Sequence, residues 1–338
     1  MHLHDTLPRR ILMTTDTVGG VWTYSRDLSL GLADAGVSVT MVAFGGRADE
    51  RQRSAVQHSR IHLVDSDLPL EWMPGDWSGV DASCALLRAV AARADPDLVH
   101  CNTYVHAALD WRQPVLAVGH SCVYSWFEAV HGSLPPQPQW TRYREGVRAG
   151  LQAADLVVTP TAAMRDRLDA FYGPLSDTRI IHNGCADAPV AVRSESPVIL
   201  AAGRAWDGAK NFAVLDAIAP QLAWPIRIAG DAQGPDGSTA AFDHCQLLGR
   251  LSSRRLRRQM AQAGIFAHPA RYEPTAARRR CRPSGPPLRL LRHVRSLHGR
   301  LCRTLCIGRL SDPGQQEGRI VSSCEVYGSG TGATRRPV

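Results

Sequence analysis

A chain of 338 residues has room for two domains of ordinary size, each with its own core. The formal charge of +8 is concentrated in residues 275–338, which hold 13 Arg, no Lys and 3 acidic residues, leaving 26 basic and 28 acidic residues for 1–274. A slightly acidic body lacks the clustered basic face that counterion release requires, so composition excludes nucleic acid as a partner of the body.

The chain opens with no apolar stretch of the signal-peptide kind before its first strand, and nowhere do about 18 apolar residues run together. The expectation is a cytoplasmic protein. Nine cysteines at irregular spacing give no disulfide framework and are expected to pack as small hydrophobes.

Residues 11–17 (ILMTTDT), 37–45 (VSVTMVAFG), 60–67 (RIHLVDSD), 97–103 (DLVHCNT), 114–121 (PVLAVGHS) and 156–161 (LVVTPT) read as strands, with amphipathic segments after several of them. Near-continuous apolar strands alternating with helices predict an α/β fold with a parallel sheet covered on both faces. The first domain covers 1–178, ending in helix near Tyr172. Residues 179–197 mix a short strand with Gly, Pro and Ser and read as a linker.

The alternation restarts at 198–205 (VILAAGRA), with a helix from about 210 to 222, strands at 225–231 and 245–251, a helix over 252–263 and a last strand in IFAHPA. Leu256, Met260 and Ala263 share one face of that helix, and Gly264 is placed to end it. Arg254, Arg255, Arg257 and Arg258 then form a solvated face. Residues 198–274 thus make a partial second domain, and the Arg-rich stretch 275–338, with one aromatic residue and no sustained period, is expected to be disordered.

Four places carry candidate chemistry. Asp16-Thr17-Val18-Gly19-Gly20 joins the first strand to a helix, where paired glycines let a phosphate approach backbone N–H groups; a purely structural tight turn reads equally well. His120 stands at a strand's carboxyl end, the ligand edge of open α/β sheets, and also suits a satisfied structural histidine. In the stretch 203–211, GRAWDGAKN, Arg204 ends a strand and Lys210 opens a helical turn, so a diphosphate can be held by guanidinium geometry and ammonium charge together. Lys210 is the single lysine among 39 basic residues, which favours a functional role for it. Glu273 offers a carboxylate to sugar hydroxyls from a strand-end loop, or is an ordinary surface glutamate. Asp65-Ser66-Asp67 looks like a metal-binding DxD but is ordinary loop chemistry, and the Cys and His of the tail match no paired zinc spacing.

In order, TVGGVW, GHS, HNGCAD, GRAWDGAKN, AGD, LLGRLS and FAHPARYEP resemble glycosyltransferase family 4, retaining GT-B enzymes that use nucleotide-activated sugars, over roughly residues 10–274. The resemblance implies two Rossmann-like domains facing a cleft, no metal or other cofactor, and a nucleotide sugar bound chiefly by the second domain. It places Gly19 and Gly20 near the donor diphosphate, with Gly203 and Asn211 lining the donor site. It puts His120 beside the transferring sugar and makes Arg204 and Lys210 stabilisers of the leaving group. Glu273 matches the first glutamate of the family's E-x₇-E element, after which the pattern stops. Pro274 follows Glu273 as expected, but Thr275, Ala276 and Ala277 stand where Phe, Gly and an apolar residue are expected, and Cys281 stands at the second glutamate.

With 38 Arg to one Lys the gene is expected to be GC-rich, and GC-rich codons read out of frame favour Arg, Pro, Gly, Ser and Cys. A frameshift near codon 275 is the expectation that follows. The expected acceptor is a carbohydrate or a lipid-linked acceptor, the latter of which would bring the protein into peripheral contact with a membrane. Residues 68–79 and 124–140, read as loops rich in Trp and Pro, are expected to choose it. The competing readings are a nucleotide-sugar epimerase of the same architecture and a non-catalytic binding protein with a basic tail.

Overall fold

The computed structural model describes residues 8–75, 77–175, 177–184, 196–234 and 237–274, and the backbone of 306–309. β1 (Arg10–Asp16) is buried from its second residue to its last, as befits a strand covered on both faces. Its side chains alternate: Ile11 and Met13 pack with Trp22, Val39 and Met41, while Leu12 packs with Val42, Phe44, Leu87 and Val90 on the opposite side. Two separate layers of core therefore begin at consecutive residues.

Parallel partners follow on both sides: β2 (Ser38–Phe44), β3 (Ile61–Asp65), β4 (Leu98–Cys101), β5 (Val115–Val118), β6 (Leu156–Thr159) and β7 (Thr178–Ile180), in spatial order β3-β2-β1-β4-β5-β6-β7. α1 (Gly20–Asp34), the short α2 (Glu50–Ser54), α3 (Ser78–Ala94), α4 (Val123–His131), α5 (Thr141–Ala153) and α6 (Ala162–Tyr172) cover the sheet. α3 buries Val80, Ser83, Leu87 and Val90, a helical stripe, and ends where Asp95 turns left-handed at φ 44°.

The expected strands are present, and three boundaries are corrected. The limit at 178 falls inside β7, which belongs to the first sheet. Residues 124–131, expected as loop, lie in α4, because the Cys122 thiol accepts the Ser125 amide and caps a helix whose sequence is rich in aromatic and β-branched residues. The helix expected over 210–222 is broken into a 3₁₀ turn at 208–210, α7 (Ala213–Ile218) and a second 3₁₀ turn over 219–221. Asn211 interrupts it in the left-handed region at φ 56°, and Pro220 removes an amide donor.

The second lobe is a sheet ordered β10-β9-β8-β11-β12. β8 (Ser196–Ala202), β9 (Ile226–Ala229), β10 (Gln246–Gly249) and β11 (Ala263–His268) are parallel, and β12 (Cys306–Arg309) runs antiparallel to β11. Four residues of the Arg-rich tail therefore have a place in the sheet, against the expectation of disorder there; the rest of 275–338, with its Cys and His residues, lies outside the described residues. α8 (Ser253–Gln262), capped by Ser252, lays Leu256 and Met260 on the core beside Ala263 and exposes Arg254, Arg255 and Arg258. Gly264 does not end it. It is the second residue of β11, where a Cβ would meet the Trp224 ring at 2.7 Å and Ser196 O at 3.0 Å, so close packing selects glycine.

Among the described residues no helix is long and apolar enough to cross a membrane, and no three His, Cys, Asp or Glu stand together as metal ligands would. Asp65 of the DxD-like stretch is engaged by the Ala48 amide at 2.8 Å and by Arg53 at 2.6 Å, which fixes the β2–β3 connections. Cys101, Cys122 and Cys245 are buried free thiols, and Cys84 is partly buried.

Candidate active site

The carboxyl ends of the two sheets meet, as ligand sites of open α/β sheets require. From the first lobe come the β1–α1 turn and the end of β5; from the second come the turns after β8 and β11. Gly19 precedes α1, and a Cβ on it would lie 3.3 Å from Arg204 Nη1, so the glycine turn of one lobe faces the guanidinium of the other. The Gly19 amide is engaged, however: Asp16 Oδ1 accepts it at 3.0 Å, along with the Val18 amide at 3.2 Å. Gly20 opens α1. Burial pushes the Asp16 carboxyl up, against those two N–H groups and the nearby Arg204 charge, which pull it down.

His120 is buried and neutral. Desolvation first, and His100 second, lower its pKa to about 3. A chain of hydrogen bonds assigns its tautomer. Ser83 gives its proton to Val80 O at 2.6 Å, so His106 Nε2 donates to Ser83 at 2.8 Å and His106 Nδ1 accepts from Thr103 at 2.6 Å. Thr14 then donates to Thr103 at 3.0 Å and accepts the Asn102 amide at 2.8 Å. Asn102 Nδ2 donates to Thr14 O and Ser25 Oγ, so its Oδ1 accepts His120 Nε2–H at 2.8 Å. The His120 proton therefore resides on Nε2, and its Nδ1 is an acceptor. The Tyr24 ring meets His120 edge-on at 4.7 Å, and burial lifts the Tyr24 phenol to about 12.

On the second lobe Arg204 Nη2 binds Asp207 Oδ2 at 2.6 Å, with the guanidinium 5.2 Å over the Trp206 ring. Lys210 Nζ binds Glu273 Oε2 at 2.6 Å, and His268 Nε2 lies 3.5 Å from the same oxygen without hydrogen-bond geometry. The Lys210 stem passes 3.2 Å from where a Gly203 side chain would begin, so Gly203 makes the channel that the lysine follows. Asn211 Nδ2 donates to Pro269 O at 3.1 Å, and the Arg271 amide donates to Ala209 O at 2.8 Å, which stitches the two turns of this lobe together.

Lys210 and Glu273, 63 residues apart, are thus in contact, Arg204 faces Gly19 across the cleft, and His120 ends the sheet on the same side. Gly203 and Asn211 act here on the protein's own turns. Sequence reading passed over Asp16, Asn102, Asp207 and Tyr272. An aspartate three residues after Arg204 was the one local signal; the others depend on partners distant in the chain.

Residues 18–187 match Glycosyltransferase Family 4. The fold is similar to that of sucrose-phosphate synthase from Thermosynechococcus elongatus, with a TM-score of 0.62 at 18% identity over 79% of this chain and 77% of that one. Weaker likenesses join it to Arabidopsis thaliana UGT89C1, solved with UDP-L-rhamnose (TM-score 0.49, 10% identity, 77% and 74% covered), and to UDP-GlcNAc 2-epimerase from Neisseria meningitidis, bound to UDP-GlcNAc (0.46, 11%, 76% and 76%). No curated protein matches the chain in sequence. Half of the chain matches the family directly and the fold is α/β of the GT-B kind, so this protein belongs to glycosyltransferase family 4.

Proposed function

We propose that the chain transfers a hexosyl group from a nucleotide sugar to an acceptor hydroxyl with retention of configuration. The observation that carries the reading is the convergence of two cations, Arg204 and Lys210, on the cleft edge that holds Gly19 and Glu273. The bond from the anomeric carbon to the diphosphate breaks with its electron pair leaving on phosphate. The acceptor oxygen bonds to that carbon from the same face, and its proton passes to the departing phosphate oxygen. Negative charge develops on the diphosphate, where fixed cations lower the barrier. Arg204 and Lys210 would supply there the charge that a divalent metal supplies elsewhere, which fits a reaction needing no metal.

Glu273 would receive sugar hydroxyls while holding Lys210 in place, and His120, an acceptor at Nδ1, would take a hydroxyl proton from the sugar. The aromatic side chains Trp72, Trp77, Phe127 and Trp140 suit stacking on a carbohydrate or lipid-linked acceptor. Such an acceptor would be met in the cytoplasm or at its membrane face. The break after Pro274 is read as a shifted frame that removed the second glutamate. Translating the other frames across codons 265–345 tests this, since a frame that restores Phe-Gly and a glutamate eight positions after Glu273 is the expected result.

Incubation with UDP-, GDP-, ADP- and TDP-sugars and a panel of acceptors tests the main reading, with NMR to report the anomeric configuration of the product. Lys210→Ala and Arg204→Ala are expected to lower kcat on the order of 10²-fold, by analogy with other preorganised charges. Turnover of a nucleotide sugar without any acceptor would make the protein an epimerase. Nucleotide binding without turnover would leave it a donor-binding protein.

A further inference from the structure

One turn of α4 meets the second lobe twice, beside the Thr161 Oγ1 bond to Pro274 O at 3.0 Å and the approach of Arg204 to Gly19. Trp126 Nε1–H donates to Asp207 Oδ1 at 3.2 Å, and the same carboxylate receives Arg204 at 2.6 Å and the Ala209 amide at 2.9 Å. One residue earlier, Ser125 Oγ lies 2.7 Å from the Tyr272 phenol, which also accepts the Cys122 amide at 3.2 Å. Ser125 gives its own proton to Cys122 O at 3.0 Å, so the Tyr272 hydroxyl donates to Ser125.

Asp207 is three residues past Arg204, and Tyr272 directly precedes Glu273. Two adjacent residues of the first lobe therefore reach the turn that carries the cation and the turn that carries the carboxylate, the second of which is held also by the Cys122 amide and by Thr161 on Pro274 O. The Arg271-to-Ala209 and Asn211-to-Pro269 bonds join those turns to each other. We propose that Asp207 and Tyr272 are positioning residues: docked on Trp126 and Ser125 of α4, they hold Arg204 and Glu273 in register with Gly19 and His120 across the cleft.

The side chain of Asp207 is 3% exposed, so its charge depends on its three donors, and removing the indole N–H leaves two. The Arg204 guanidinium, 39% exposed, then has only Asp207 and the Trp206 ring to direct it. Orientation losses of this kind slow the chemical step more than they weaken binding. The inference rests on the transferase reading, and its test is built to separate the two.

The variants are Trp126→Phe, Asp207→Asn and Tyr272→Phe in the full chain, each nearly isosteric, with melting temperature as the control for folding. Expected are kcat values about tenfold lower for Trp126→Phe and Tyr272→Phe, equivalent to about one hydrogen bond, with KM within about twofold of wild type. The double variant Trp126→Phe with Asp207→Ala should be no slower than Asp207→Ala alone, because alanine leaves the indole N–H no oxygen to reach. Losses that multiply, or an unchanged kcat, would overturn the assignment. Amide hydrogen exchange supplies a readout independent of turnover: residues 203–211 should exchange faster in Trp126→Phe and 269–274 faster in Tyr272→Phe, while β1 and β2 stay as in wild type. Unchanged exchange at those turns sinks the alignment whatever the enzyme does. A wild-type chain that turns over no nucleotide sugar sinks the transferase reading and leaves the exchange result standing.

Discussion

Among the described residues the first lobe sets seven parallel strands side by side with four core clusters, whereas the second has four parallel strands, two core clusters and, in the last place of its sheet, an antiparallel segment from residues 306–309. The same β–α pattern wrote both lobes, and among the described residues the first carries it over more strands. Each β–α step adds a strand pair and a helix whose apolar stripe has somewhere to go. The consequence is a division of labour: the first lobe carries the stability, and the second carries the cations that depend on it for alignment.

The largest effect that sharpens this comparison is an all-or-none one. Residues 8–184 expressed alone should melt in a single cooperative step, while residues 196–274 alone should give no such step, having too little apolar surface to offset the ordering of the chain. Circular dichroism on the two fragments checks it. A cooperative melt of the second fragment would show that the lobes are equal partners after all.

A smaller difference should separate two glycines, one in each lobe. At Gly150 of α5 a Cβ would stand 1.8 Å from Tyr104 O, and at Gly230, after β9, 1.6 Å from Gly203 O; both neighbours are backbone and cannot turn aside. Either alanine should destabilise its own lobe by roughly 3 kcal/mol or more, an overpacking cost at the high end of the usual range. Gly150→Ala is expected to lower the melting temperature of the whole chain. Gly230→Ala should leave the main melt close to wild type and abolish nucleotide-sugar turnover, since Gly203 is next to Arg204. Equal losses of melting temperature would count against the division of labour.

How legible each part was follows from where its information sits. β1 to β6 could be read because strands buried on both faces write themselves as apolar runs. α4 could not, since VYSWFEAVH has the residues of a strand and its cap is a thiol, so only packing against Tyr143 and the neighbouring ring stack settles it as helix. Arg204 and Lys210 were visible as two cations flanking one turn. The Trp126–Asp207 and Ser125–Tyr272 contacts span 81 and 147 residues and exist only when two lobes close, so no local spacing encodes them. α8 ended one residue earlier than its glycine suggested because β11 needed that glycine against Trp224.

The pH dependence of stability gives the finest test, because the buried groups Glu71, His100, His106 and His120, whose pKa values lie at about 7 or below, belong to the first lobe. Glu71 is buried with its oxygens on the Tyr104 and Val105 amides at 3.1 and 2.9 Å, and desolvation outweighs those bonds to lift its carboxyl from 4.5 to about 7. Between those values the folded chain holds a proton that the unfolded chain has lost, so this stabilisation is full below about pH 4.5 and fades as pH rises towards 7. His100, His106 and His120 act in the opposite sense. Burial lowers them to about 4, 3 and 3, so the unfolded chain gains protons below 6.5 that the folded chain refuses, and stability falls as the medium becomes more acid. Three groups oppose one between pH 5 and 6, and stability should rise with pH there. Replacing Glu71 with Gln removes one opposing group, so the slope of unfolding free energy against pH should steepen by one proton, about 1.4 kcal/mol per pH unit. Urea unfolding at closely spaced pH values measures it. The same increment should appear in the 8–184 fragment, because the shifted groups and their partners all lie within it. An increment seen only in the full chain would mean that the second lobe governs the burial of Glu71, and the lobes would then be less separable than their cores suggest.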